Sequence, residues 1–343
     1  MNSLGYSETA PHVADIGERA LIELIRQRLP PAPSWIVTGV GDDAAVVEPA
    51  RNTLDIFTAD ALVEGVHFDR RFTPPGAIGH RALAANLSDI ASMGAEPRVA
   101  LLSLALPGAL PLQDFAAMVD GLLALAAAHR VHLVGGNITR SPGPLVIDVT
   151  VVGAAHRRRV LTRAGARAGD EVWVSGTIGS AAAGLACLEG VEPEHGHDDM
   201  ALCAAAYLMP QPRVRLGVLL GRNRAATACI DLSDGLADGL TQLALSSGVG
   251  LDIDGSTIPV AAAARRWFEQ RGADALLAAL AGGDDYELLF TVPGRRRSRF
   301  AAVRRLLGDL PVTCIGRVTD DGHVWLSRDG GREPVTGGYE HFR

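Results

Sequence analysis

The sequence predicts an α+β protein whose two domains each stack helices on strands in two layers. A chain of 343 residues exceeds the size at which a single hydrophobic core usually keeps growing, so two domains are expected. Strand-like and helix-like segments intermix along the chain without the strict alternation of a doubly wound parallel sheet. Hydrophobic residues make up 48% and charged residues 21% of the chain, a composition typical of folded, water-soluble proteins.

Charge and residue usage exclude several classes of function. The formal net charge is −7, which argues against a nucleic-acid partner because such binding depends on clustered cations. All 32 basic residues are arginine. The absence of lysine excludes a Schiff-base mechanism and the lysine of a P-loop.

The cytoplasm is the compartment that the sequence favours. The four cysteines are far apart, lie in apolar or alanine-rich surroundings and form no C-x-x-C pair, so we expect buried thiols in a reducing compartment. Residues 1–11 lack the basic start and apolar run of a signal peptide. The longest apolar run, 99–112, is interrupted by serine, proline and glycine, so no membrane span is expected.

Hydrophobic periodicity predicts the elements of the first half. Apolar residues at helical spacing predict helices, and short apolar runs bounded by glycine or proline predict strands. The predicted helices span 15–28, 82–93 and 114–129, and the predicted strands span 54–58, 99–106, 131–134 and 145–152. Asp60 is expected just past the end of one strand, and Gly135-Gly136-Asn137 just past the end of another.

The second half continues this mixture after a basic run and a glycine-rich turn, which we take as the domain junction. The N-terminal domain is therefore predicted to span residues 1–155 and the C-terminal domain 156–343. Predicted strands span 171–175, 251–253, 286–292, 312–318 and 323–326, and a helix is predicted over 261–270. The turn 176–180 could bind a phosphate on its backbone N–H groups or could only connect a strand to the next helix.

The stretch 230–236 reads as a strand that ends, a tight turn and a helix that begins. An apolar run over 225–230 is followed by Asp-Leu-Ser-Asp-Gly, and then leucines recur at helical spacing. Ser233 and Asp234 are of the residue types that cap helices, next to the positive end of a helix dipole. These residues could serve only as caps, or they could form part of a functional site.

Aspartates recur in similar surroundings along the chain, at or near the ends of apolar segments. Two carboxylates about 4 Å apart repel by roughly 4 kcal/mol at an effective dielectric constant near 20, so converging aspartates would require cations. Oxygen ligands without histidine or cysteine favour Mg²⁺ or Ca²⁺ over zinc, and scattered single aspartates suit a Mg²⁺ shared with substrate phosphates. The EF-hand spacing is absent. The alternative is that each aspartate is only a turn residue.

Five segments, in this order and spanning most of the chain, resemble the motifs of the thiamine-monophosphate kinase family. They are Gly39-x-Gly41-Asp42-Asp43-Ala44, Asp60 with Gly65-Val66-His67-Phe68, Asn86-Leu87-Ser88-Asp89-Ile90-Ala91-x-Met93-Gly94-Ala95, Asp231-Leu232-Ser233-Asp234-Gly235-Leu236 and Gly282-Gly283-Asp284-Asp285-Tyr286-Glu287-Leu288. The wider superfamily includes aminoimidazole ribonucleotide synthetase and selenophosphate synthetase, which use ATP. The resemblance implies the two-domain fold of that superfamily, with N-terminal domains pairing into a β-barrel in a homodimer.

The resemblance further implies transfer of the γ-phosphoryl group of ATP to thiamine monophosphate, which gives thiamine diphosphate by direct in-line transfer. The implied Mg²⁺ ligands are Asp43, Thr58, Asp60, Asp89, Asn137, Asp231 and Asp234. The implied ATP contacts are Gly136, Asn137, Arg163 and Ser233, and the implied contacts to thiamine monophosphate are His67, Asp284 and Tyr339. No catalytic acid or base is implied, because a phosphate acceptor is already anionic at neutral pH, and phosphoryl transfer depends mainly on positioning and charge neutralisation.

Three residues depart from the family's usual pattern. Asn137 stands where aspartate is usual, so a metal contact there would be weaker or would use an amide oxygen. Ala59 replaces a hydroxyl residue, which removes a possible ligand. Asp284 stands where glutamate is usual and keeps the charge with a shorter reach. These departures affect the metal count and the substrate affinity more than the reaction class.

Two alternatives stay open from the sequence. One is another ATP-using enzyme of the superfamily, of the aminoimidazole ribonucleotide or selenophosphate type; the second of these would show a cysteine and a lysine near the N-terminus, and this chain has neither there. The other is a non-catalytic protein that binds a Mg²⁺–nucleotide complex, which the neutral Asn137 would suit.

Overall fold

A computed structural model describes residues 11–190 and 197–337 of the chain, and the fold divides into two compact units. The first unit comprises residues 1–51, 57–86 and 97–152, and the second comprises 52–56, 87–96 and 153–343. Two short segments of the N-terminal half thus belong to the second unit. A single boundary after residue 155 stays a prediction.

Helices and strands intermix in both units, which confirms the predicted α+β class. The α-helices of the described residues are α1 Val13–Ile16, α2 Glu18–Arg26, α3 Pro75–Ser92, α4 Leu112–His129, α5 Ser180–Leu188, α6 His197–Leu208, α7 Val214–Asn223, α8 Leu236–Ser247, α9 Ala262–Glu269, α10 Ala275–Ala281 and α11 Arg297–Leu306. The strands are β1 Ile36–Thr38, β2 Val46–Val47, β3 Leu54–Val63, β4 Glu96–Pro107, β5 His132–Ser141, β6 Val146–Ala155, β7 Glu171–Ser175, β8 Cys229–Asp231, β9 Gly250–Asp254, β10 Leu288–Val292, β11 Val312–Thr319, β12 Val324–Arg328 and β13 Gly331–Pro334.

A four-stranded sheet carries most of the predicted site residues of the first unit. Its strand order is β3-β6-β4-β5, and β4 and β5 run parallel. In the first unit, α3 lies so close to α4 that a Cβ at Gly79 would come within 1.8 Å of the Met118 carbonyl oxygen. Only glycine allows this approach, because real Cβ atoms do not come that close to other heavy atoms.

A seven-stranded sheet forms the centre of the second unit, in the order β13-β12-β9-β11-β7-β10-β8. Its neighbouring strands are antiparallel except for β12 and β9. Helix α8 packs against this sheet through Leu236, Leu240 and Leu243, which are fully buried. The helical spacing of these leucines in the sequence therefore correctly predicts a helix, and the leucines form the face of that helix that packs into the core.

Several predicted boundaries were wrong at places that matter for the site. Asp60 lies inside β3, which continues to Val63, and the Gly135-Gly136-Asn137 segment lies inside β5. Residues 135–137 pair in register with residues 101–103 of β4, so pairing with a neighbouring strand overrides the local preference of two glycines for a turn. The helix predicted over 15–28 is divided at Gly17, where φ is +77°.

Among the residues that the structure describes, no helix combines the length and the apolar character needed to cross a membrane. All four cysteines are free, and Cys203 and Cys229 are buried while Cys187 and Cys314 are half-buried. Burial raises the pKa of the Cys203 thiol to about 11. Such a thiol is uncharged near neutral pH, which fits a packing role rather than a reactive one.

Candidate active site

The carboxylate of Asp231 lies at the buried end of β8. All three residues of this strand are buried, and Asp231, which pairs with Leu288 of β10, is only 5% exposed. Helix α8 then begins after Gly235, whose φ is +96°. The N-cap position is Gly235 itself, which has no side chain, and Ser233 and Asp234 precede it, so a capping role for either side chain stays a prediction.

Asp89 lies near Asp231 although the two residues are far apart in sequence. Burial, and then the negative charge of Asp89, raise the pKa of Asp231 to about 7. Two other groups lower the pKa of Asp231. They are the Ser88 hydroxyl, which donates a hydrogen bond of 2.9 Å to Asp231 Oδ2, and the positive charge of Arg163. The structure thus brings three predicted site residues of the second unit, Asp89, Asp231 and Arg163, within electrostatic reach of one another.

Residues 282–287 lie directly beside the turn that follows Asp231. The Asp284 amide donates to the Ser233 carbonyl oxygen at 2.7 Å, and the Tyr286 amide donates to the Leu232 carbonyl oxygen at 2.9 Å. In return, the Leu232 amide donates to the Glu287 carbonyl oxygen at 2.8 Å. Backbone hydrogen bonds therefore join a segment predicted to contact ATP with one predicted to contact thiamine monophosphate.

Backbone conformation in this segment explains its unusual sequence. Asp284 and Tyr286 have φ values of +65° and +50°, which few residues other than glycine, asparagine and aspartate adopt readily. A Cβ at Gly283 would lie 2.5 Å from the Ser233 carbonyl oxygen, so glycine is required there. The Tyr286 hydroxyl donates to Asp284 Oδ1 at 3.0 Å, which orients the carboxylate that is predicted to contact the substrate.

Two further acids of the same segment have structural partners. Glu287 is 3% exposed and accepts hydrogen bonds from the Ser175 hydroxyl and from both the Nε and a terminal nitrogen of Arg213. Asp285 accepts from the Gly179 amide at 2.8 Å, and burial raises its pKa to about 7. The N–H of Gly179, in the turn considered for phosphate binding, thus donates to a carboxylate of the protein.

A pocket of about 450 Å³ in the first unit brings together Asp43, Gly136 and Asn137. It is lined by Glu18, Arg19, Ile22, Ile25, Val40, Gly41, Asp42, Asp43, Leu102, Leu133, Gly135, Gly136, Asn137 and Ile138. A Cβ at Gly136 would lie 1.8 Å from the Leu102 carbonyl oxygen of the neighbouring strand β4. Only glycine therefore fits at this position of β5. The pocket combines aliphatic walls with polar groups, as small-molecule sites commonly do.

Three other predicted residues of the first unit lie on or next to β3. Thr58 and Asp60 are two positions apart in the strand, so their side chains lie on the same face, and both are half-buried. His67 follows in a turn in which its Nδ1 accepts a hydrogen bond from the Val63 amide at 3.1 Å. In the neutral ring, Nε2 therefore carries the proton. The buried Arg81 donates to the carbonyl oxygen of His67 at 3.4 Å.

The remaining predicted site residues are Ser233, Asp234 and Tyr339. Ser233 is exposed and Asp234 is half-buried in the turn after β8. Tyr339 lies outside the described residues. Within the part of the chain that the structure describes, no three histidine, cysteine, aspartate or glutamate residues are grouped closely enough to hold a metal ion. The ligand and substrate roles of the individual residues stay predictions.

Sequence reasoning missed several residues of this region. Ser88 was part of a recognised motif, but no role was assigned to it because its partner is 143 residues away. Glu18 and Arg19 line the same pocket as Asp43. They lie on α2, and the apolar spacing that predicts this helix does not indicate that its polar residues line a pocket. Arg213 follows two prolines, and only its pairing with Glu287, 74 residues further along the chain, reveals its role.

Comparisons with known proteins assign most of the chain to one family. Residues 41–155 match the model of the AIR synthase related protein, N-terminal domain, and residues 167–327 match that of the C-terminal domain. The thiamine-monophosphate kinase of Escherichia coli (strain K12) is 39% identical over 333 residues, which cover 95% of this chain and 98% of that protein.

Solved structures agree with this assignment. The crystal structure of thiamine-monophosphate kinase from Stenotrophomonas maltophilia K279a superposes with a TM-score of 0.78 at 39% identity and covers 90% of this chain and 94% of that one. A structure of AaThiL complexed with AMPPCP and TMP has a TM-score of 0.75 at 34% identity and covers 98% of this chain and all of that one.

We predict that replacing Arg213 by glutamine destabilises the protein by about 3 kcal/mol, because it leaves the buried carboxylate of Glu287 without its cation. The free energy of unfolding, measured in urea, tests this. Arg266→Gln is the matched control: Arg266 also pairs with an acid through two nitrogens, those bonded to Asp199, but it is exposed, and exposed pairs contribute little. Equal losses in the two variants, or no recovery when Glu287→Gln is added to Arg213→Gln, would contradict the prediction.

Proposed function

The chain belongs to the thiamine-monophosphate kinase family of AIR synthase related proteins, and we propose that it transfers the γ-phosphoryl group of ATP to thiamine monophosphate. The observation that carries the proposal is the arrangement around Asp231, where acids from two distant motifs meet beside the turn that precedes α8. Relatives that bear the kinase name match nearly the full chain. These relatives do not favour a synthetase or a non-catalytic binder.

Two neighbouring acids, Asp89 and Asp231, have the chemistry of a divalent-cation site. Asp231 is buried beside the charge of Asp89, and this environment raises the pKa of Asp231 to about 7. A cation would reverse that effect, because a positive charge next to two carboxylates favours their ionised forms. We propose Asp89, Asp231 and Asp234 as Mg²⁺ ligands from the second unit, and Asp43, Thr58, Asp60 and Asn137 as ligands from the first. Bound Mg²⁺ would neutralise charge on the phosphate oxygens.

The remaining work of the protein is to bind and orient two anionic substrates. We propose that the aliphatic walls of the 450 Å³ pocket hold the apolar part of the nucleotide, with the backbone at Gly136 approaching it closely. Arg163 and Ser233, both exposed, contact ATP phosphates. The Nε2–H of His67, together with Asp284 and Tyr339, contacts thiamine monophosphate. No proton has to be removed from the acceptor, since a phosphate oxygen is already anionic, so no general base is assigned.

We also propose a homodimer in the cytoplasm. On β3, a strand at the edge of its sheet, every second residue from Asp55 to Ala61 is exposed, and Phe57 is 70% exposed. An exposed aromatic residue on an edge strand favours pairing with another sheet. Sedimentation equilibrium of the wild-type protein should therefore give twice the mass of 35.9 kDa, and Phe57→Glu should give the monomer mass; a monomeric wild type would refute this proposal.

We predict ATP-dependent formation of thiamine diphosphate from thiamine monophosphate, with no phosphorylation of unmodified thiamine. Product formation, followed by chromatography, measures this. Asp89→Asn should lower kcat at least about 100-fold without lowering the unfolding midpoint, because it removes one carboxylate at nearly constant volume and relieves repulsion of Asp231. A matched control is Asp120→Asn, which changes an exposed acid of α4 that pairs with Arg28. If the wild type binds Mg²⁺–ATP but forms no product, the kinase assignment is wrong.

A separate prediction concerns Asn137, which stands where the family usually has aspartate. Asn137→Asp adds a carboxylate to the pocket lined by Asp43, so we expect the Mg²⁺ concentration for half-maximal activity to stay equal or to fall severalfold. The Mg²⁺ dependence of the initial rate at saturating ATP is the measurement. A large rise in that concentration would mean that the Asn137 amide donates a hydrogen bond there.

A further inference from the structure

Ser88 is a buried hydroxyl group inside a helix that is otherwise tightly packed. Its side chain is fully buried on α3, as are those of Leu87 and Ile90. Serine is a weaker helix former than alanine, because its hydroxyl competes for backbone hydrogen bonds and carries a desolvation cost when it is buried. A serine at this position therefore needs a partner that offsets the burial of its hydroxyl.

The partner is a carboxylate and not the helix backbone. Ser88 Oγ donates to Asp231 Oδ2 at 2.9 Å. One turn further along α3, Ser92 is also buried, but its Oγ donates to the Asp89 carbonyl oxygen at 2.9 Å, the local bond that serines in helices commonly make. The two serines thus lie on the same helix and are both buried. They differ in the acceptor of the hydroxyl group, which is a carboxylate for Ser88 and a backbone carbonyl for Ser92.

We propose that Ser88 is a positioning residue: its hydroxyl holds one carboxylate oxygen of Asp231 and so fixes the orientation in which that carboxylate meets a divalent cation. The inference rests on the proposed function to the extent that Asp231 is a metal ligand. A carboxylate without a fixed hydrogen bond rotates about its terminal torsion, which is broad for aspartate. Ser88 removes that freedom before the ion binds, and hydrogen bonds that orient metal ligands typically contribute about 10- to 100-fold in metal affinity.

The position of Ser88 also links the two acids of the site. Ser88 and Asp89 are adjacent on α3, so one helix supplies both an acid and the hydroxyl that orients the acid of β8. Any shift of α3 relative to β8 would change both at once. The hydrogen bond from Ser88 to Asp231 therefore also constrains the spacing between Asp89 and Asp231.

Binding of Mn²⁺, followed by electron paramagnetic resonance on the full chain with and without AMPPCP, tests the proposal independently of turnover. Ser88→Ala should raise the dissociation constant for Mn²⁺ about 10-fold. Ser88→Cys, which fills the same space with a weak donor, should raise it at least about fivefold. Ser92→Ala is the matched control and should leave it within about twofold of the wild type. Circular dichroism and the unfolding midpoint check that each variant is folded.

Three outcomes would overturn the proposal. They are an unchanged Mn²⁺ affinity in Ser88→Ala, equal losses in Ser88→Ala and Ser92→Ala, and a wild-type affinity in Ser88→Cys, which would show that volume and not the hydroxyl matters. If Ser88→Ala does not fold, Ser88→Cys decides. A further readout is that the KM for thiamine monophosphate stays within about twofold in Ser88→Ala while the Mg²⁺ requirement rises. A wild type that binds Mn²⁺ without kinase activity would refute the proposed function and leave the metal-binding comparison intact.

Discussion

The burial of the Asp231 carboxylate is the constraint on which the rest of the site depends. A charged group removed from water is costly unless hydrogen bonds or opposite charges compensate it, and here a second carboxylate, Asp89, adds repulsion. The protein supplies a hydrogen bond from Ser88, a backbone hydrogen bond from Asp231 itself and the charge of Arg163. The compensation is partial, and a cation bound beside the two acids would favour the ionised form of both.

The fold holds this carboxylate rigidly by fixing the backbone around it. Strand β8 pairs with β10, and beyond the end of the strand the turn at Leu232 and Ser233 exchanges backbone hydrogen bonds with residues 284–287. Glu287, at the far end of that segment, is bonded to Arg213 and Ser175. A buried polar network of this kind is specific when every member has its partner. It joins the segment that carries Asp284 to the segment that carries Asp231.

The sequence predicts the parts of this site that are local and fails for those that depend on distant partners. Asp231 was correctly expected at the end of a strand, because an apolar run ends there and leucines at helical spacing follow. Asp60 was placed past its strand, since a short apolar run does not reveal how far a neighbouring strand extends the pairing. Gly135-Gly136 suggested a turn, but pairing with β4 keeps these residues in a strand. The hydrogen bond from Ser88 to Asp231 spans 143 residues, and no periodicity could indicate it.

Charge in the first-unit pocket explains how the neutral Asn137 can be tolerated. An aspartate at this position would add a carboxylate to a pocket that Glu18, Asp42 and Asp43 already line, with Arg19 as the basic side chain in the same lining. Three acids and one arginine leave that lining negative without a carboxylate at position 137. An amide oxygen can still coordinate Mg²⁺, which binds carbonyl as well as carboxylate oxygens. Asparagine in place of aspartate at this position would therefore change the strength of attraction for a cation more than its sign.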